Sequence, residues 1–182
     1  MADVSVRPAR SDDVAEIARI QIETWRTGYR QILPAPVLDA LSPEQVQAVW
    51  TSAVDERPSP RHHVLVAMEA QWVVGFLAFG PAEDLEADDP DPATTAALAP
   101  LLVEPRWGRR GHGSRMLAAA VDHARADGTT RFVSWIPEAD TASREFLISA
   151  GWAPDGLVRA LDTGAGELRE IRLRTSLTGE PA

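Results

Sequence analysis

The 182-residue chain contains no cysteine, no lysine and no asparagine, and each of the first two absences removes a class of chemistry. Without cysteine there is no disulfide, no thiolate nucleophile and no cysteine-based zinc site. Without lysine there is no Schiff base, no lysine nucleophile and no Walker-type phosphate-binding lysine; all 18 basic residues are arginine. No apolar run approaches the ~20 residues of a membrane span, and Met1-Ala2-Asp3-Val4-Ser5-Val6-Arg7 lacks the apolar stretch of a secretory leader. These absences predict a cytoplasmic protein with no membrane partner.

What is present is ordinary for a globular protein: 45% hydrophobic residues and 25% charged residues. The length suits one domain, expected over residues 1–177 with a frayed tail at 178–182. Net charge is −9, and Glu83, Asp84, Glu86, Asp88, Asp89 and Asp91 follow one another with no cation between them. Such a field repels polyanions, so no nucleic-acid partner is expected, while a cationic small molecule is permitted. The acidic stretch lacks the order of a calcium loop and reads as a solvated loop, or as a rim that attracts cations.

Periodicity predicts the elements. Val4 to Pro8 alternates as a short strand, and Ser11-Asp12-Asp13 supplies a helix N-cap with acids in the first turn. Val14, Ala18, Ile22, Trp25 and Tyr29 then mark one helix face. Pro34 and Pro36 interrupt the chain before a second helix opened by the capping box Ser42-Pro43-Glu44-Gln45. Segments 63–69 and 72–79 read as a hairpin. Thr94 to Val103 is a strand in which Pro100, having no N–H, marks an edge or a bulge. A glycine-arginine loop leads into a helix with Met116, Leu117, Ala120, Val121 and Ala124 on one face, closed by Gly128. A strand at 131–137, a helix from Asp140 to Ala150 and strands at 157–162 and 167–175 complete an α/β domain with a mixed sheet.

The loop Arg109-Arg110-Gly111-His112-Gly113-Ser114 lies between a strand and a helix start. Its amides would face outward with the positive end of the helix dipole behind them, an arrangement that binds phosphate. Glycines permit close approach of an anion, and arginines add charge and paired donors. The third glycine of a dinucleotide fingerprint is absent, since Met116 stands there. His62 and His63 open a strand with no second ligand pair at metal spacing and read as surface residues; no metal site is expected. His123 reads as structural. No carboxylate stands out as a general base, although Glu104 and Glu138 lie near the strands that border the loop.

Two blocks carry a resemblance to a known family. Val103-Glu104-Pro105-Arg106-Trp107-Gly108-Arg109-Arg110-Gly111-His112-Gly113-Ser114-Arg115-Met116-Leu117 and Asp140-Thr141-Ala142-Ser143-Arg144-Glu145-Phe146-Leu147-Ile148-Ser149-Ala150-Gly151-Trp152 resemble, in order, the paired signatures of the GNAT N-acetyltransferases. The resemblance spans about residues 4–175. It implies a mixed, mostly antiparallel sheet of six to seven strands flanked by about four helices. It also implies acetyl-CoA as co-substrate, direct attack of an amine on the thioester, and a small amine-bearing acceptor. By this resemblance, Leu101, Val103, Arg109, Arg110, Gly111, His112, Gly113, Ser114, Ser143 and Phe146 contact the cofactor. The acceptor is walled by Trp25, Tyr29 and Trp135, and a bulge at Pro100 would free strand amides for the acetyl carbonyl. Association as a homodimer is left open.

Three departures stand out. Gly108 replaces a side chain that contacts phosphate, and Asp140 replaces an asparagine that caps the helix. Leu147 replaces the tyrosine that often protonates the departing thiolate. Tyr29, the chain's sole phenol, is therefore the candidate catalytic residue. An alternative reading of Leu147 is a module that binds or senses acyl-CoA with little turnover.

Overall fold

Strand periodicity sorts apolar side chains into two cores on opposite faces of one sheet. Val64 and Val66 point to one face, Leu65 and Ala67 to the other, and all four are buried. The computed structural model describes residues 4–86, 89 and 91–178. Its strands are β1 (Val4–Pro8), β2 (His63–Glu69), β3 (Trp72–Pro81), β4 (Thr95–Val103), β5 (Arg131–Pro137), β6 (Ala153–Asp162) and β7 (Glu167–Ser176). They form one sheet in the order β1-β2-β3-β4-β5-β7-β6. Every neighbouring pair is antiparallel except β4 and β5. This is the mixed, mostly antiparallel architecture that the resemblance implies.

Helices cover both faces. On one side α1 (Val14–Gly28) and α3 (Pro43–Asp55) bury Val14, Ile17, Ala18, Ile20 and Trp50 against Phe76 and Leu102. The Trp50 and Phe76 rings meet edge to face at 4.9 Å, and Trp50 Nε1 donates to Gln21 Oε1 at 2.6 Å. On the other side α4 (His112–Ala126) and α5 (Thr141–Ser149) place Met116, Leu117, Ala120, Ala124 and Leu147 over Leu65, Leu77, Phe79 and Phe132.

Several local expectations are corrected. A fifth helix, α2 (Ala35–Asp39), lies where Pro34 and Pro36 were read as an interruption; proline is favoured in a helix's first turn, where its missing N–H has no partner to lose. Ser11 does not cap α1. Its hydroxyl donates to Asp55, and Asp13, fixed by both terminal nitrogens of Arg7 at 2.6 and 2.8 Å, accepts the Arg10 N–H instead. Strand β6 begins at Ala153, four residues before the expected start at Leu157, and its register shifts between Pro154 and Val158 around Gly156, at φ +89°. His63 is no surface residue: Nε2 lies 2.7 Å from Asp127 Oδ2, and the ring stacks on Phe79 at 4.7 Å beside His123. Residues 179–182 of the expected tail lie outside the described residues.

The acidic stretch is also more than a solvated loop. Asp89 accepts both terminal nitrogens of Arg172 at 2.6 Å, and Asp155 accepts its Nε at 2.7 Å. The Arg172 side chain is only 3% exposed. Asp84 reaches Arg159 at 3.1 Å, whereas Glu83, Glu86 and Asp91 are exposed; Asp88 lies outside the described residues. A second buried carboxylate, Glu104, follows β4 and takes both terminal nitrogens of Arg19 from α1 at 3.1 Å, with Arg106 at 2.9 Å. Burial works against the Asp13 and Glu104 carboxylates, but their arginine partners outweigh it and hold both below the ordinary range. At Asp89 the hydrogen bonds from Arg172 lead, with the same result.

Carboxylates with lowered folded pKa values stabilise the fold in full above their unfolded values, 3.8 for aspartate and 4.5 for glutamate. That stability is lost as pH falls through the lower folded values. The thermal midpoint should therefore be flat from neutrality to about pH 5 and fall below it. Arg172→Met, which strands two carboxylates, should cost about 3–5 kcal/mol in denaturant unfolding.

Candidate active site

The site begins where β4 and β5 part. They pair in parallel only over Thr95–Ala97 and Arg131–Val133. Beyond that point the β3–β4 register shifts opposite Ala99 and Pro100, the bulge alternative expected for Pro100, while β4 lies inside the sheet. Ser134 Oγ donates to the Leu98 carbonyl at 2.8 Å at the point of divergence. The Glu104 N–H bonds to Val74 of β3 at 2.9 Å. Strand alternation therefore turns the backbone groups of Val103 and Leu101 toward the opening, where β5 no longer pairs with them.

One end of the opening is a cavity of about 450 Å³. It is lined by Leu101, Val103, Arg109, Gly111, His112, Gly113, Ser114, Ser143 and Phe146, all singled out in the sequence, together with Trp107 and Ala142. The first amides of the 15-residue α4 have no intrahelical acceptor and present the positive end of its dipole. Gly111 has φ +80°, and a side chain at Gly113 would begin 3.3 Å from the Phe146 ring and 3.6 Å from Leu101, filling the cavity. Arg109 is held at φ +61°, and its guanidinium has no ion pair or hydrogen bond among the described residues. No carboxylate lines this cavity.

Arg110 departs from expectation. Its Nη1 lies 2.9 Å from Glu69 Oε1, and its guanidinium stacks 4.9 Å over the Trp107 ring, so it lies outside the cavity lining. His112 is 1% exposed, with Nε2 2.8 Å from Glu69 Oε2. Glu69, at the β2–β3 turn, thus clamps the loop from a distance of more than forty residues. Nothing local in the sequence marks it. Arg115 completes the loop by donating to the Arg110 carbonyl at 2.8 Å.

The other end is a cavity of about 220 Å³ that shares Leu101, Ser143 and Phe146 with the first. Trp25, Tyr29 and Trp135 all line it, with Leu98, Pro100, Ser134, Leu147 and Glu170. Trp25 and Tyr29 are tilted neighbours at 6.1 Å. The Tyr29 hydroxyl donates to Asp140 Oδ2 at 2.7 Å; Ser143 Oγ donates to the same oxygen, and Ser143 N to Oδ1. Asp140 thus keeps the capping role of the asparagine it replaces and holds the phenol as well. Burial first, and then the carboxylate of Asp140, raise the Tyr29 pKa well above its ordinary 10.0. Glu170 passes unnoticed in the sequence because it is one acid among alternating charges on β7. Of the other carboxylates weighed there, Glu104 is neutralised by Arg19, and Glu138 is half-exposed beside Arg169.

The profile of the Acetyltransferase (GNAT) family matches residues 17–152, three quarters of the chain. The chain belongs to this family and is an acyltransferase of the GNAT type. It is similar to YuaI of Bacillus subtilis strain 168, described as an uncharacterized N-acetyltransferase, at 29% identity over 136 residues covering 74% of this chain and 72% of that protein. Its fold is similar to that of YncA from Salmonella typhimurium, solved with acetyl-CoA, with a TM-score of 0.72, 20% identity and coverage of 98% and 96%. It is also similar to that of the PaiA N-acetyltransferase from Thermoplasma acidophilum, solved with coenzyme A, with a TM-score of 0.76, 14% identity and coverage of 96% and 99%. No helix among the described residues is long and apolar enough to cross a membrane.

Two substitutions test whether the glycine-loop cavity seats an anion. Gly113→Glu should abolish calorimetric binding of coenzyme A while leaving the fold intact. Arg109→Ala should weaken binding by about 1.5–3 kcal/mol, the range for a hydrogen bond to a charged group, and should cost more than Arg110→Ala.

Proposed function

We propose that the protein transfers acetyl from acetyl-CoA to the nitrogen of a small amine-bearing acceptor. The observation that carries this reading is the adjacency of the two cavities: an anion cradle and an aromatic, carboxylate-bearing chamber share Leu101, Ser143 and Phe146 in their walls. The α4 amides, Arg109 and the backbone groups of Leu101 and Val103 would hold the acyl donor. When bound, acetyl-CoA supplies an activated acyl carbon. Trp25, Tyr29 and Trp135 would orient the acceptor and keep water from that carbon.

The geometry changes the role expected of Tyr29. Its proton is held by burial and by donation to Asp140. A phenol above its ordinary value yields a proton to a thiolate of pKa ~8.5 only uphill. Leu147, buried at the position the family often gives to tyrosine, has no proton to offer. The sulfur's proton therefore comes from the newly acylated nitrogen or from solvent, and Tyr29 shapes the acceptor chamber.

Calorimetry with acetyl-CoA and thiol release over a panel of amines test the reading. Binding together with amine-dependent thiol release is expected; binding without release would favour the acyl-CoA-sensing alternative. Tyr29→Phe should keep kcat within about tenfold of the parent and raise acceptor KM, in contrast to the ~10²–10⁴-fold loss of a general acid. No limb of the pH–rate profile below pH 10.0 should belong to Tyr29.

A further inference from the structure

The acceptor chamber differs in charge from the cofactor cavity, and on the acetyl-transfer reading that difference names the acceptor. Its lining carries the carboxylate of Glu170 and no arginine. Glu170 is 9% exposed on β7, and its Oε2 accepts from Arg159 Nε at 2.7 Å. Among the described residues no donor reaches Oε1. Arg159 and Arg172 both lie against the Trp135 ring, at 4.5 and 5.8 Å, but each is already engaged. Arg159 faces Glu170 and Asp84, and Arg172 faces Asp89 and Asp155. Two guanidinium groups thus meet four carboxylates, and neither is spare to receive an anionic substrate group.

An ammonium entering this chamber gains a charge-assisted bond and aromatic faces. A carboxylate entering it loses water, finds no cation and meets like charge. We propose that Glu170 seats the ammonium of the acceptor and that the acceptor is a primary amine on an uncharged apolar body, in contrast to an α-amino acid. The ammonium releases one proton to solvent. Its nitrogen then bonds to the acyl carbon as the carbon–sulfur bond breaks; one of the two protons left on that nitrogen passes to sulfur and the other stays on the amide. The products are an amide, a free thiol and one proton in solution.

Phenethylamine and phenylalanine differ by the carboxylate at issue and serve as matched probes with the full chain, acetyl-CoA and a thiol readout. Phenethylamine should be preferred in kcat/KM by about 10- to 100-fold, the equivalent of one charge-assisted hydrogen bond. Glu170→Gln keeps an acceptor for Arg159 Nε but removes the charge. It should raise the KM for phenethylamine by a similar factor and leave the KM for acetyl-CoA unchanged, a split that a merely structural role would not produce. Three results overturn the proposal: equal or better use of phenylalanine, an unchanged amine KM in the glutamine variant, or no phenethylamine-dependent thiol release by protein that binds acetyl-CoA in calorimetry. Failure to bind acetyl-CoA would instead overturn the acetyl-transfer reading, and this proposal with it.

Discussion

The parting of β4 from β5 is the constraint on which the site depends. Three parallel residue pairs hold the two halves of the sheet together, and the cleft lies immediately beyond the last of them. A parallel ladder that ran further would consume the backbone groups of Leu101 and Val103 and close both cavities. Pro100 contributes by lacking an N–H, and the register shift opposite it turns the later half of β4. Leu98 is the pivot: its side chain is buried in the core while its carbonyl takes the Ser134 hydroxyl.

The two ends of that cleft are prepared by opposite means. The end at the glycine loop is built from backbone, namely a left-handed Gly111, a bare Gly113 and a helix dipole, with Glu69 fixing Arg110 and His112 from the neighbouring hairpin. The end lined by Trp25, Tyr29 and Trp135 is built largely from side chains, with β4, β5, β7 and α5 all contributing. Arg19 and Glu104 couple these regions mechanically, tying the helix that carries Trp25 and ends at Tyr29 to the turn that enters the glycine loop. A shift of α1 would therefore be felt at both ends.

Legibility followed the range of the interaction. The loop from Val103 to Leu117 could be read because glycine, arginine and helix-start requirements act over a few neighbouring residues. The bulge could be read, as one of two alternatives, from the single missing N–H of Pro100. The partners that act on these elements are remote in sequence and carry no local sign: Glu69 on Arg110, Asp140 on Tyr29 and Asp89 on Arg172. Arg110 was therefore expected at the anion, and the acidic stretch was expected in solvent. The proline-rich connection misled for a different reason, since proline breaks a helix interior but is favoured in a helix's first turn, where Pro36 stands.

That Arg109, and no lysine, lines the cleft has a chemical consequence for a protein that handles an acyl thioester. Thioesters acylate free amines and thiols without assistance, and a lysine at the anion cradle would be the first nucleophile that a seated donor met. Arg109 offers comparable charge from a group that stays protonated and does not attack carbonyl carbon. With neither lysine nor cysteine anywhere in the chain, no side-chain amine or thiol competes with the acceptor for the acyl group. The composition thus protects the catalyst from being modified by its own reagent.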